Sequence, residues 1–517
     1  MRRTHAIVYR VHEIKGYAQL KEKKKRSIAG QSVICMDVNM KMIINGKEVN
    51  ASDGQVIEVV NPATGAVIDT VPAATKEDID LAVEKALEGQ KIWAKIPVHK
   101  KVEIMYTFLD YVEEDKEALA QTLSAETGKP IVEARGEIGN ISIAFRAFSE
   151  KAKHLYGEVV PAGLEGGQDK NIIMTQREPI GIIACIIPFN FPCDLFDQKI
   201  APALLAGNAA IVKPSTDNPL TLCKLTSLLV KAGVTDGAIQ IVTGRGSKVG
   251  SWLCGHKDVH AITLTGSTEV GIETAKTAAG HLAHIALELG GNDAFIVLED
   301  GDVDLAVEEL IWGRMYNTGQ VCCASKRFLV HNSRKEEFTQ KAVTRISQLK
   351  QGMPSDESSQ IGCLISERAA IEVEQQINLT VKQGGTVVLG GKRNGAFIEP
   401  TVIKDVPKTA DVAKDMEIFG PVVPIIGFDT EEEAIDIANA SIFGLCGCVF
   451  TENMKTAFRV CNALECGGTV INGASFFRSF EMPFGGYKYS GIGTEGVMTT
   501  FDEVTRLKTI VLKNIIS

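Results

Sequence analysis

A chain of 517 residues that is 45% hydrophobic is too long for one core, so two or more domains of about 100–200 residues each are expected. Its net charge of -9 is spread along the chain, which excludes a nucleic-acid or anionic-membrane surface as the main partner. A small-molecule task fits better. No apolar run reaches the roughly 18 residues of a membrane span, and the first residues lack a secretory apolar core, so a cytoplasmic protein is expected.

Residues 1–41 form a basic stretch containing Arg2, Arg3, Lys21, Lys23, Lys24, Lys25 and Arg26. It reads as a disordered extension or a start codon assigned too early, with Met36, Met40 and Met42 downstream. A targeting peptide or surface tether is the alternative. Between Thr75 and Ala94, Ile79, Ala82, Val83, Ala86 and Leu87 recur at helical spacing, with Thr75 and Asp78 as an N-terminal cap. Another helix is expected after Pro130. Apolar runs at 182–187, 209–212, 239–242 and 261–264 alternate with helical stretches, the pattern of parallel strands with crossovers and hence of a doubly wound α/β domain. Gly244-x-Gly246 with Gly250, and Gly266-Ser267, each follow a strand and open a helix, where backbone amides can approach a phosphate. The first spacing departs from G-x-G-x-x-G and serves a purely structural turn equally well. A second α/β series follows Glu288, with strands at 295–298 and 327–331. Twelve scattered cysteines, without C-x-x-C pairs or histidines at zinc-finger intervals, point to free thiols rather than a metal site, and Cys446-x-Cys448 to buried thiols rather than a strained disulfide.

Two segments carry chemistry. Leu287-Glu288-Leu289-Gly290-Gly291 offers a carboxylate and Asn317-Thr318-Gly319-Gln320-Val321-Cys322 a thiol. Alone, such a cysteine is a small buried hydrophobe and such a glutamate a surface charge. Together they resemble the aldehyde dehydrogenase superfamily, whose nucleophile sits in N-x-G-Q-x-C and whose general base sits in L-E-L-G-G. The resemblance runs from about Met42 to the C-terminus.

The resemblance implies a Rossmann-like dinucleotide-binding domain from 42–152 and 176–287 and a second α/β catalytic domain from 288–487. A small β flap from 153–175 and 488–517 would join a homodimer or homotetramer, its strand at 504–512 adding to a neighbouring subunit's sheet. An aldehyde carbon gives up hydride only once it is tetrahedral, and a thiolate makes it so near neutral pH. Cys322 takes that role, with Cys323 as a packing residue. Asn190, in Pro188-Phe189-Asn190-Phe191-Pro192, is the implied oxyanion donor and Glu288 the base that activates water. Lys199 matches a family lysine near the active site, or makes a structural pairing.

NAD or NADP is the implied cofactor. Lys213-Pro214-Ser215-Thr216 resembles the family's K-P-S-E segment at the adenosine ribose, with Thr216 in place of the acid. The change removes both a grip on the ribose 2′-hydroxyl and an obstacle to a 2′-phosphate. Arg245 and Lys248 either favour that phosphate or are ordinary surface cations. Gly246, Gly250, Gly266 and Ser267 are implied at the cofactor backbone, and Glu417 and Phe419, in E-x-F-G-P, at the nicotinamide end. Arg478 is the candidate clamp for a distal anion, and Arg135 and Asn140 are candidates for the pocket mouth. Tyr316 and Val321 stand where succinate-semialdehyde and phosphoglyceraldehyde enzymes tend to carry arginine, which favours a lactaldehyde- or sulfolactaldehyde-like substrate. The alternatives are another semialdehyde, a CoA-acylating enzyme (against which Glu288 argues) and a non-catalytic dinucleotide-binding relative.

Overall fold

The computed structural model describes residues 40–516; the basic stretch up to residue 39 lies outside them. The strands Ile182–Ile186, Ala209–Lys213, Ile239–Ile241 and Ala261–Thr265 are almost wholly buried, as parallel strands covered on both faces must be. They build an eight-stranded sheet in the order Lys47–Val49, Met42–Ile44, Ile239–Ile241, Ala209–Lys213, Ile182–Ile186, Ala261–Thr265, His284–Glu288, Gly491–Ile492. Its five central strands are parallel and both flanking pairings antiparallel. The winding reverses between Ile182–Ile186 and Ala261–Thr265, so the crevice for a ligand opens beyond the carboxyl ends of these strands. Asn190, Pro214, Gly266 and Glu288 all lie at that edge.

Helices cover both faces. Lys76–Trp93 begins at a capping box in which the Thr75 hydroxyl accepts the Asp78 N–H and the Asp78 carboxylate accepts the Thr75 N–H at 2.9 Å. A second, seven-stranded sheet has the order Thr386–Leu389, Thr401–Lys404, Val422–Phe428, Ser325–His331, Asp293–Val297, Cys446–Phe450, Gly468–Ile471, parallel apart from its first pairing. Gly491–Ile492 pairs with Leu287 and Glu288, and the Leu289 N–H donates to the Ser490 carbonyl at 2.9 Å, which pins the segment carrying Glu288.

A third sheet joins Val159–Val160, Ile172–Pro179 and Thr505–Leu512, all antiparallel. The C-terminal strand pairs with its own chain from Thr505↔Pro179 to Leu512↔Ile172, and leaves Leu507 and Val511 exposed at the sheet edge. No helix among the described residues is long and apolar enough to cross a membrane, and every cysteine among them is free.

Candidate active site

The loop before strand Ser325–His331 turns left-handed at three successive residues, Asn317 (φ 49°), Thr318 (φ 55°) and Gly319 (φ 76°). Such backbone persists in a β-branched residue only when its surroundings over-determine it. The motif supplies them. The Thr318 hydroxyl accepts the Gly362 N–H at 3.1 Å, and the Gln320 side chain accepts the Ile365 N–H at 2.9 Å and donates to the Asn317 carbonyl at 3.1 Å. The Asn317 amide donates to the Asn190 carbonyl at 2.9 Å. At Gly319 a Cβ would lie 2.3 Å from the Gly420 carbonyl oxygen, so only glycine fits.

The turn delivers Cys322 to a cavity of about 480 Å3 that is also lined by Asn190, Arg478, Asn140, Asp194 and Tyr316. The thiol is lowered to about 7, first by a hydrogen bond from the Cys323 thiol and then by the charges of Lys326 and Arg478, which together outweigh burial. Cys323 is buried in the apolar cluster beside the thiol, as a packing residue would be, and its thiol is also the first influence that lowers Cys322. Lys326 also donates to the Cys322 carbonyl and pairs with Glu417 at 3.0 Å. This lysine escaped the sequence reading; the available signal was a cation inside the buried run Ser325-Lys326-Arg327-Phe328.

Glu288 ends the strand His284–Glu288, is buried, and has no hydrogen-bond partner on either carboxyl oxygen among the described residues. It does not line the cavity, but it shares electrostatic range with Cys322. Burial drives its acidity well below an ordinary carboxyl's, the Glu495 charge adds to the effect, and Arg478 and Lys199 oppose it. That is the direction required of a base acting near neutral pH. Lys199 pairs with Glu495 at 2.5 Å and donates to the Thr263 hydroxyl at 3.0 Å.

The other predicted residues gather at the carboxyl edge of the first sheet. Lys213 is buried there, its ammonium donating to the Pro214 carbonyl at 2.7 Å, and burial lowers it to about 8. The Ser215 hydroxyl accepts the Asp217 N–H at 3.3 Å, and the Thr216 hydroxyl donates to the Gly244 carbonyl at 3.2 Å. Gly246 and Gly250 bound a single wide helical turn. The Gly266 N–H donates to the Glu288 carbonyl at 3.0 Å, tying that turn to the end of the strand that carries Glu288. Ser267 caps helix Thr268–Ala279 by accepting the Val270 N–H at 3.4 Å, which occupies one first-turn amide and leaves the hydroxyl proton to donate. From the second sheet, Glu417 accepts the Gly291 N–H at 3.4 Å and Phe419 meets Phe189 edge-on at 5.8 Å.

Residues 49–510 match the Aldehyde dehydrogenase family. The chain belongs to that family. It is 34% identical to lactaldehyde dehydrogenase of Methanococcus vannielii over 92% of this chain and 100% of that one. It is 36% identical to 3-sulfolactaldehyde dehydrogenase of Priestia megaterium over 88% of this chain and 94% of that one. Among solved structures, an E. coli NADP-dependent enzyme superposes with a TM-score of 0.89 at 34% identity, covering 92% of this chain and 98% of that one. The fold is that of an aldehyde dehydrogenase, and the protein is an NAD(P)-dependent oxidoreductase.

NAD(P) suits the donors this aldehyde dehydrogenase presents. An ammonium has three protons, and Lys213 uses one on a backbone carbonyl and makes no ion pair among the described residues, so two protons remain to donate. Arg245 and Lys248 are exposed on the adjoining turn and make no ion pair among the described residues. In the substrate cavity, the Arg478 guanidinium lies 3.6 Å from the Phe484 ring centroid and has a buried, unpartnered Nη1. Asn140 donates to Asp194 at 3.1 Å. Asp194 was not foreseen, because an acid two residues after Pro192 reads as an ordinary first-turn charge. Arg135 lies elsewhere: it is tied at the surface to Glu117 at 2.9 Å and Glu357 at 3.1 Å and does not line the cavity, so it corrects the expectation of a pocket-mouth residue.

Proposed function

We propose that this aldehyde dehydrogenase oxidises a small polar aldehyde, of the lactaldehyde or sulfolactaldehyde kind, to its carboxylate. The reading rests on a single observation, that one cavity is lined by Cys322 and Asn190 together with Arg478, Asn140 and Asp194. The Cys322 thiolate adds to the carbonyl carbon, and the Asn190 amide and Cys322 N–H receive the oxyanion of the thiohemiacetal. Lys213, Thr216 and Glu417 would hold NAD(P)+, which would supply the hydride acceptor when bound. The thioester left on Cys322 is hydrolysed by water that Glu288 deprotonates, which frees the carboxylate and the thiol. Arg478 offers a cation to a distal sulfonate, and Asp194 with Asn140 offers an acceptor and a donor to a hydroxyl. The lactaldehyde and sulfolactaldehyde relatives support this choice.

A semialdehyde is the second reading, favoured by the unpartnered Arg478 Nη1, which suits a carboxylate equally. CoA acylation and a non-catalytic role are disfavoured by the buried Glu288 and the acidified thiol. Free cysteines favour the cytoplasm, and the exposed Leu507 and Val511 favour a homodimer or homotetramer. NADH and NADPH formation across lactaldehyde, sulfolactaldehyde, succinate semialdehyde and propionaldehyde tests the substrate class. A preference for propionaldehyde, or a flat profile, would refute it.

Three outcomes follow from the pocket. Arg478→Leu should cost about 2–3 kcal/mol of transition-state binding for sulfolactaldehyde, a loss of about 30- to 150-fold in kcat/KM, and only a few-fold for propionaldehyde. Equal losses for both would dismiss the anion clamp and leave Arg478 to the acidity of Cys322 and to structure. The acid limb of kcat/KM should fall near pH 7, because protonation below the lowered value removes the thiolate. Cys323→Ala removes the hydrogen bond, so the pH dependence of Cys322 alkylation by iodoacetamide should shift upward; an unmoved profile would dismiss Cys323.

A further inference from the structure

Helix Ile131–Ala152 presents Glu133 and Glu137 on one face, with Lys129 just before its start. The Lys129 and Glu137 side chains are ion-paired and only 0% and 1% exposed. Their remaining bonds go to the two loops that carry the chemistry. The Lys129 ammonium donates to the Asn190 carbonyl at 2.9 Å and lies 4.0 Å from the Phe191 ring centroid. Glu137 accepts the Cys193 N–H at 2.8 Å, in the first turn of helix Pro192–Leu205. Glu133 accepts the N–H of Asn317 at 2.8 Å, where the backbone turns left-handed. The Asn317 side chain closes the circuit on the same Asn190 carbonyl at 2.9 Å.

We propose that Lys129, Glu133 and Glu137 form a positioning frame that fixes the nucleophile Cys322 relative to the oxyanion donor Asn190; this rests on the roles proposed above for those two residues. The loops leave different sheets, and neither is regular at these points, so their buried N–H and C=O groups need outside partners. One helix face supplies a partner to each. Two donors on the Asn190 carbonyl hold its peptide against rotation, which leaves the side-chain amide in the cavity with Cys322. A purely stabilising ion pair would need only Lys129 and Glu137. Glu133 has no ion pair among the described residues, and its hydrogen bond is spent on the nucleophile loop.

The test compares Glu133→Leu with Glu133→Gln, which keeps an acceptor oxygen, and Lys129→Met with Lys129→Arg, all in the full chain. The readout is the NAD(P)H burst rate constant per active site, taken from the burst amplitude with propionaldehyde, beside nucleotide affinity and Tm. Displaced reacting groups should slow the burst about 10- to 100-fold in Glu133→Leu and Lys129→Met, with nucleotide affinity within about twofold and recovery in Gln and Arg. An unchanged rate constant per site, with only Tm or amplitude reduced, would overturn the frame and leave a structural helix. Should Lys129→Met not fold, the Glu133 pair decides alone, since that side chain is only half-buried. Persistent turnover in Cys322→Ser would instead sink the underlying reading.

Discussion

Replacing Cys322 with serine should lower NAD(P)H formation by about 10^4-fold, equivalent to about 5.5 kcal/mol of activation free energy, while nucleotide binding survives. A serine hydroxyl at this site keeps its proton. The features that acidify Cys322 — the Cys323 thiol and the charges of Lys326 and Arg478 — bring a thiol to about 7 but cannot ionise an alcohol near neutral pH. Nucleotide binding should be spared because the residues proposed to hold it, Lys213, Thr216 and Gly266, sit at the edge of the other sheet. Stopped-flow absorbance with a separate fluorescence titration measures both. Retained turnover would remove Cys322 from the chemistry.

Glu288→Gln should separate the two halves of the reaction. Glu288 makes no hydrogen bond to Cys322 among the described residues, and the acidifying contacts of the thiol are the Cys323 thiol, Lys326 and Arg478, so acylation proceeds and one equivalent of NAD(P)H appears in a burst. Hydrolysis then lacks its base, and steady turnover should fall by about 10^2- to 10^4-fold. The glutamine also relieves a buried carboxyl that has no partner and faces the charge of Glu495, so the variant should fold at least as well as the parent. Equal steady rates in variant and parent would take Glu288 out of deacylation.

Local pattern was enough for much of the fold. The runs read at 182–187, 209–212, 239–242 and 261–264 are strands within a residue of those limits, because strands buried on both faces leave continuous apolar segments. The cap at Thr75 and Asp78 was legible because both partners lie in one turn. The order of the strands, and thus the crevice, was not written in any single segment. Nor were the contacts of Glu133 with Asn317, Lys129 with Asn190 and Lys199 with Glu495, each joining residues far apart in sequence. Arg135 shows the same limit from the other side. It lies on the expected helix, but Glu117 and Glu357, from other parts of the chain, decide where its guanidinium points.

The central claim is that an acyl group passes through Cys322 on the way to a carboxylate. Acid-quenched Glu288→Gln enzyme, mixed with lactaldehyde and NADP+ and digested for peptide mass spectrometry, tests it most directly. A single lactoyl group on Cys322, equal in amount to the NADPH burst and absent without nucleotide, is the predicted result. NADPH formed with Cys322 unmodified, or the acyl group on Cys323 instead, would contradict it.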